Sequence, residues 1–458
     1  MCGVFGIISN KSKENLVEIA YLGLLHLQHR GQDAAGLAYN DNGRVRIEKG
    51  KGLVNHIFNS VKRREIASHK PWIILGHTRY STAGADSLIN TQPHWIDTLK
   101  GRQALASNGD IPNLINEKKI LEKQGVEFYT DNDGEFLLKK INFLASNKEG
   151  NLLSAIIETM KSTAGSYSAA LMVRDQIFIF RDPWGNRPFI LGEKNGSIIF
   201  TSETCALDGV GAKFVREINP GEVIHINQKG ELKSIQAIEL KKKAHCIFEH
   251  IYFARPDSKI FGQKEVGAFR YRLGKKLAKA YPVKADFVTS VPDSGNFAAI
   301  GYSVEAKIPY RILLVRNPYI PRTFIMPGQQ NREYLARLKY SVMKEILKTK
   351  NRVILVDDSI VRGTTNKAII KMMREAGAKE IHLRISSPPI INPCHYGINT
   401  PTQEELIACS HSIEEIRKFL EVDSLGYLSL EDLKNNVKKN KQKPENFCFA
   451  CFNKKYPI

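Results

Sequence analysis

Val353-Ile354-Leu355-Val356-Asp357-Asp358-Ser359-Ile360-Val361-Arg362-Gly363-Thr364-Thr365 decides how the second half of this chain folds. Four consecutive apolar β-formers predict a buried strand. Two acids at its end stand before a loop of Ser, Gly and Thr that leads into a helix. In an open parallel sheet, ligands bind outside the carboxyl ends of the strands, and a helix N-terminus offers N–H groups to a phosphate. Asp357 and Asp358 are then free for ribose hydroxyls or a hard cation. As a generic pattern the same residues also fit a simple capped helix.

Outward from this string, helix and strand patterns alternate: helices over 266–281, 296–306 and 366–377, strands over 285–291, 310–315 and 352–358. Such alternation predicts crossover units on a parallel sheet. Ahead of residue 235 the rhythm differs. An apolar run follows Cys2, a helical spacing of Leu16, Ile19, Ala20, Gly23, Leu24 and Leu27 comes next, and short strands follow at 35–39, 45–48, 72–77, 169–173, 177–180 and 198–201. Asn42-Gly43 and Arg174-Asp175 predict hairpin turns. The first half therefore reads as largely antiparallel sheet with a few helices, and the polar, lysine-rich residues 235–244 as a linker between domains 2–235 and 236–458. There is no internal repeat, and the stretch near 434–443 is lysine-rich.

A chain of 458 residues exceeds what one core usually serves. Its apolar fraction of 42% and charged fraction of 25% are those of an ordinary globular protein, which excludes a fibrous or disordered chain. No run approaches the roughly 18 apolar residues of a membrane span, and no basic segment precedes the apolar start, so neither membrane nor export is expected and a cytoplasmic location is. The net charge of +20 would attract any polyanion. Much of it lies in runs such as 241–243 and 438–443 that fit solvated faces, and without an RNP-like motif or Cys/His finger no nucleic-acid partner is expected.

Cys2 is chemically distinctive if Met1 is removed, because one residue then carries a thiol and an α-amine able to accept its proton. Alone it also fits a small buried hydrophobe. Downstream, residues 76–82 with Arg79, Tyr80 and Thr82, the Ser107-Asn108-Gly109 turn and Asp131-Asn132-Asp133 supply a guanidinium, an amide and carboxylates at strand ends and turns. These are the groups glutamine needs: an arginine fork for its carboxylate, an aspartate for its ammonium, and an Asn amide with a glycine N–H for an oxyanion.

Cys2-Gly3-Val4-Phe5-Gly6, Gln28-His29-Arg30-Gly31-Gln32-Asp33 and the Arg79 segment resemble class II glutamine amidotransferases with α+β N-terminal-nucleophile hydrolase domains of stacked antiparallel sheets. The resemblance makes Cys2 the nucleophile, gives Arg79, Tyr80, Thr82 and Asp133 the glutamine, and Asn108 with Gly109 the oxyanion. Ser107 stands where that family usually has histidine, and Gly134 where Ser or Thr is common. The 353–365 string resembles the signature of type I phosphoribosyltransferases, α/β domains with a mainly parallel sheet. By that resemblance Asp357, Asp358, Ser359, Arg362, Gly363, Thr364 and Thr365 hold phosphoribosyl pyrophosphate. Val291-Pro292-Asp293-Ser294-Gly295 is its pyrophosphate-side loop, and Ser294, Asp357 and Asp358 are the magnesium-associated positions. Residues 322–339, including Arg322 and Met326-Pro327-Gly328-Gln329-Gln330, resemble the flexible loop that closes over substrate; they also fit a plain surface loop.

Seven cysteines without an export signal argue for thiol chemistry or metal ligation. Cys448 and Cys451 are spaced as ligands, with Cys246 and Cys394 as further singletons. On spacing alone, structural zinc, an iron–sulfur cluster and unrelated buried thiols all remain open. Residues 245–258, 385–396 and 448–457 are similar to glutamine phosphoribosylpyrophosphate amidotransferases of the cluster-containing kind, which implies that these four cysteines hold one [4Fe–4S] cluster. Cys205 and Cys409 are then core thiols. The resemblance further implies formation of 5-phosphoribosylamine, glutamate and pyrophosphate at the first step of purine synthesis, ammonia passing through an internal channel, Mg2+ dependence, a homotetramer, and inhibition by purine nucleotides. That subgroup often carries a propeptide; here Met1 alone precedes Cys2, so aminopeptidase action is expected to suffice. A rival expectation is an inactive regulatory homologue binding phosphoribosyl or nucleotide ligands, which Ser107 and Gly134 keep open.

Overall fold

In the computed structural model, which describes residues 1–9, 14–80, 87–148, 150–239, 242–262, 264–320, 329–398, 400 and 402–458, the apolar run after Cys2 forms the strand Gly3–Ile8. It lies in the middle of a seven-stranded antiparallel sheet ordered 213–217, 190–194, 197–201, 3–8, 73–79, 34–41, 44–51. A second antiparallel sheet runs 232–236, 222–226, 176–181, 166–173, 101–110, 94–98. Strand alternation turns Val4, Leu75, Ala106, Ala170, Ile179 and Phe200 into the gap between the sheets, where all are fully buried. Fully burying a side chain the size of valine or phenylalanine is worth roughly 1.5–3 kcal/mol. The predicted turns close two hairpins, with Asn42 at φ 48°, Gly43 at φ 79° and Arg174 at φ 49°.

The opposite faces of both sheets carry helices. Leu16–His26 covers the first, its N-terminus capped by Asn15, whose side chain accepts from the N–H groups of Val17 and Glu18. Asp133–Ser146 and Leu152–Ser162 cover the second through Phe136, Leu137, Ile141 and Ile156. The result is a four-layered helix–sheet–sheet–helix sandwich.

The second half contains a four-stranded parallel sheet ordered 287–290, 352–357, 380–385, 424–427. Along the 352–357 strand, Val353 and Leu355 face one apolar cluster and Ile354 and Val356 the other, as burial on both sides requires. Helices Val266–Ala280 and Asn296–Ala306 cross tightly, because a Cβ at Gly274 would lie 1.8 Å from the Ala298 carbonyl oxygen and one at Gly301 1.9 Å from that of Tyr271. The predicted strand at 310–315 does not join this sheet. Tyr310 makes a single bridge to Val288, and Leu314–Arg316 pairs antiparallel with Tyr340–Val342 as a separate ribbon. The reason is its burial: Ile312 and Val315 are exposed, so the run has no second apolar face to cover.

Of the segment expected to form a flexible loop, 322–328 lies outside the described residues, Arg322 included, and Gln329–Lys339 is a helix. The strand Leu232–Gln236 still belongs to the second sheet. The two halves share a core: Phe5, Leu24 and Cys205 belong to the same apolar cluster as Phe248, Phe269 and Val288. Among the described residues, no helix is long and apolar enough to cross a membrane.

Candidate active sites

Three strands of the sandwich, Gly3–Ile8, Ile73–Arg79 and Gly101–Asp110, bring distant residues to one end. The Cys2 N–H donates to Asn108 Oδ1 at 3.1 Å. That contact sets the amide orientation and turns Asn108 Nδ2 the other way, where it is buried without a partner. A buried amide donor left unpaired is costly unless a ligand oxygen meets it, and an oxyanion beside Cys2 is such an oxygen. Gly109 is required by its neighbour, since a Cβ there would lie 1.8 Å from the Ser166 carbonyl oxygen. The Cys2 thiol lies 3.8 Å from the Tyr80 carbonyl oxygen. Arg79 is buried at the strand end, one guanidinium nitrogen 3.1 Å from the Ser87 carbonyl oxygen. Asp133 opens the helix Asp133–Ser146 with a buried, unpaired Oδ2. Burial, with Asp110 and Cys2 nearby, pushes its carboxyl well above the usual range. An ammonium placed there would supply the missing counter-charge. Thr82 lies outside the described residues.

The two departures, Ser107 and Gly134, meet at one residue that sequence reading missed. The Ser107 N–H donates to Gln92 Oε1 at 2.6 Å, Gln92 Nε2 donates to Asn132 Oδ1 at 3.1 Å, and Asn132 Oδ1 also accepts from the Gly134 N–H at 2.8 Å. A Cβ at 134 would press on the Gln92 amide at 3.0 Å. Gln92 thus occupies the space between both positions, and neither departure reaches Cys2. Its only sequence signal was the Gln-Pro pair before a strand, which says nothing about where the side chain goes. Arg30 and Glu249 lie in segments that carry the resemblance, but their roles were missed. The fully buried Arg30 donates from Nε to the Cys2 carbonyl at 2.9 Å.

At the carboxyl end of the parallel sheet, Asp357 closes the strand Arg352–Asp357, Asp358 follows it, and both are buried. Asp358 accepts from Ser294 Oγ at 2.6 Å and Ser359 Oγ at 2.5 Å, and Asp357 from Asn366 Nδ2 at 2.7 Å. Burial pushes both carboxyls upward, and the neighbouring Asp358 adds to the rise at Asp357. Gly363 sits at φ 77° ahead of the helix Thr364–Glu375, the left-handed turn that aims the first N–H groups of that helix at the strand end. The structure thus gathers Ser294, Asp357, Asp358, Ser359, Gly363, Thr364 and Thr365. Arg362 points elsewhere: its guanidinium makes two 3.1 Å bonds to Glu405.

Residues 77–209 match the glutamine amidotransferase domain family. Over all of its length the chain is 44% identical to the amidophosphoribosyltransferase of Archaeoglobus fulgidus, covering 98% of that protein. It is 42% identical to that of Methanocaldococcus jannaschii, again covering 98%. The chain belongs to the amidophosphoribosyltransferase family. Among solved structures, the glutamine phosphoribosylpyrophosphate amidotransferase from B. subtilis, complexed with ADP and GMP, superposes with a TM-score of 0.88 at 42% identity, covering 100% of this chain and 97% of that one. A second, titled as the allosteric regulatory enzyme of purine biosynthesis, gives a TM-score of 0.89 at 42% identity with 100% and 96% covered. The sandwich is the N-terminal-nucleophile part of this amidophosphoribosyltransferase fold, the parallel sheet its phosphoribosyltransferase part, and the chain is a glutamine-dependent enzyme.

In this member of the amidophosphoribosyltransferases, Cys246, Cys394, Cys448 and Cys451 line one cavity, walled by apolar groups of Phe248, Ile390, Ile398 and Ala450. Cys246 and Cys448 face each other across the parallel pair His245–Cys246 and Phe447–Cys448. Burial, and then Glu249 ahead of the Cys394 thiol, push Cys246 up to about 11; burial and then the Cys246 thiol push Cys448 up to about 12. Of the two other cysteines, Cys205 is buried as a core thiol should be, whereas Cys409 is half-buried with Sγ on the Ile391 carbonyl oxygen at 2.8 Å.

Proposed function

We propose that the two sites act in series. With Met1 removed, the nitrogen that bonds Asn108 becomes an α-amine able to take the Cys2 thiol proton. The thiolate attacks the side-chain carbonyl of glutamine, held by Arg79, Tyr80, Thr82 and Asp133. The oxyanion forms against Asn108 Nδ2 and the Gly109 N–H. Collapse releases ammonia and leaves a thioester at Cys2, which water converts to glutamate. Ammonia then crosses to the second site through an internal channel and attacks C1 of phosphoribosyl pyrophosphate. The new C–N bond replaces the bond to pyrophosphate, and phosphoribosylamine results. A protected route is needed because ammonia released into neutral water becomes ammonium and loses its lone pair. The observation that carries this reading is Asn108: one face of its amide bonds Cys2 while the other is buried and unpaired.

Ser294, Asp357 and Asp358 fit a hard divalent cation, since two adjacent buried carboxylates with raised pKa need positive charge to stay ionised. Bound there, Mg2+ would neutralise charge developing on the departing pyrophosphate. The rest of the site binds and orients: the Thr364 and Thr365 end of its helix meets phosphate, and Asp357 and Asp358 lie within reach of ribose hydroxyls. The four cysteines fit one [4Fe–4S] cluster, because four thiols spread around an apolar cavity suit a polynuclear centre. It would tie residues 246, 394, 448 and 451 together. By family likeness we also propose a cytoplasmic homotetramer at the first step of purine synthesis, restrained by purine nucleotides; the ADP and GMP of the B. subtilis structure support the last point.

The test is phosphoribosylamine formation with glutamine or ammonium as donor, for wild type and Cys2→Ala. Glutamine-dependent activity surviving in the variant would sink the Cys2 mechanism. Iron and sulfide analysis of anaerobically purified protein checks the cluster, and colourless protein containing zinc would overturn it.

A further inference from the structure

The interface between the two halves buries charges that neither reaction uses. Glu249, fully buried in the second half, accepts from Arg30 Nη2 at 2.8 Å and Arg30 Nη1 at 3.1 Å. Arg30 is held a second time by Glu203, which accepts in turn from His29 and from Ser258 Oγ. Arg30 Nε donates to the Cys2 carbonyl at 2.9 Å. Burying so many charges gives little net stability, since desolvation offsets the attraction; what such a network does secure is the position of the groups it holds.

A second path runs beside the first. Arg187, also fully buried, lies 3.5 Å from Glu249 and donates from Nε to the Tyr396 carbonyl at 3.0 Å. Tyr396 stands two residues beyond Cys394, and Glu249 three beyond Cys246. Next comes Gly397, at φ 100°, where a Cβ would lie 2.8 Å from the Gly109 carbonyl oxygen and 3.3 Å from Arg187 Nη2. The cysteine-bearing segment of the second half therefore rests directly on the oxyanion strand of the first.

We propose that Glu249, Arg187 and Gly397 are positioning residues for the glutamine site: they fix the Cys2 carbonyl through Arg30 and the Gly109 peptide by contact, so that the four-cysteine segment holds the glutaminase in register. None is among the residues assigned above to glutamine or phosphoribosyl pyrophosphate. The inference rests on the assignment of Cys2 and Gly109 above. A nucleophile displaced by about 1 Å from its oxyanion donors loses up to ~10²-fold in rate, and a second half that is merely attached would leave no such mark.

The experiment compares Glu249→Gln and Gly397→Ala with wild type, using glutamine and ammonium as alternative donors. It also measures the rate at which an electrophilic glutamine analogue alkylates Cys2, the melting temperature, and the iron content. The expected result is a fall of roughly tenfold or more in glutamine-dependent kcat and in the alkylation rate, with ammonium-dependent kcat and the KM for phosphoribosyl pyrophosphate within about twofold of wild type. Gly397→Ala removes no charged group and presses only on the Gly109 peptide and the edge of Arg187, so it decides the matter if Glu249→Gln aggregates. Equal loss with both donors, no loss with either, or aggregation of both variants would overturn the proposal, because the contacts would then be structural only or idle. Cys2→Ala run alongside separates the two readings. If it retains glutamine use, the assignment of Cys2 fails; if it loses glutamine use while Glu249→Gln and Gly397→Ala keep it, only the positioning role fails.

Discussion

The glutamine site gathers Cys2, Arg79, Asn108, Gly109 and Asp133 from the ends of separate strands and a helix, whereas the phosphoribosyl site draws nearly everything from residues 357–365, with Ser294 added from a neighbouring loop. Their polar atoms differ as well. In the first, Asn108 Nδ2 and Asp133 Oδ2 are buried and unpaired, set where a substrate must complete them. In the second, Ser294, Ser359 and Asn366 already bond the two aspartates, and Arg362 bonds Glu405. One site is preorganised around missing partners. The other must exchange internal hydrogen bonds for those of its ligand, which costs binding energy but leaves the carboxyl oxygens partnered until the ligand arrives.

The contrast is sharpest under Cys2→Ala. Glutamine-dependent turnover should drop by ~10⁴-fold or more, as when a covalent nucleophile is deleted, while ammonium-dependent turnover stays near wild type. Parallel loss with both donors would mean that the sites are not separable. Asp357→Asn should act without regard to donor, lowering both rates by about 10²–10³-fold, because charge stabilisation at the departing pyrophosphate serves both routes. A rate with either donor that survives this change removes the acid from the site.

Asn108→Ala isolates the unpaired donor and should cost roughly 10²-fold in glutamine-dependent kcat. A fall in glutamine affinity alone would show that the amide binds the ground state. Asp133 gives the glutamine site a pH signature. Its carboxyl is raised well above the ordinary range, first by burial and then by Asp110. As pH falls through that raised range it gains a proton and loses its hold on an ammonium. The KM for glutamine should therefore rise by about tenfold or more toward acid; Asp357 and Asp358 are raised too, so it is the Asp133 variant that separates the sites. Asp133→Asn should show the high KM at every pH; a variant that retains the acid-side rise would place the titration elsewhere.

The same contrast explains what was legible in the sequence. The phosphoribosyl site is local: its strand, acids, glycine turn and helix start occupy consecutive positions, and each has a physical signature of its own. Cys2, Arg79, Asn108 and Asp133 could be grouped only by the chemistry glutamine needs and by resemblance: the strands 3–8 and 73–79 pair in one sheet while Asn108 lies in the other, so the packing of sheet on sheet and not chain proximity brings them together. Gln92 left no trace, and Arg30 and Glu249 stood inside quoted segments without a role, since a buried polar side chain announces itself through partners that only the fold supplies. The strand expected at 310–315 fails for the opposite cause. Its apolar residues satisfied a local pattern, but exposure of Ile312 and Val315 shows that the sheet had no second face to offer there.

Arg362→Ala should have the smallest effect. By chain position Arg362 lies in the phosphate loop, and the resemblance assigns it to substrate, yet both of its bonds run to Glu405 on the outer side. The pair is partly exposed on both sides, with side-chain exposures of 34% and 46%, and ion pairs of that kind contribute about 1 kcal/mol or less. Removal should therefore lower the melting temperature by a few degrees at most and leave the KM for phosphoribosyl pyrophosphate within roughly threefold of wild type. Glu405→Ala supplies the control: if Arg362 acts only through that pair, the two variants match. A KM that climbs well beyond this in Arg362→Ala but not in Glu405→Ala would show that the guanidinium leaves Glu405 for phosphate when substrate binds. The phosphoribosyl loop would then rearrange on binding at its arginine as well as at its aspartates, widening the difference from the preorganised glutamine site.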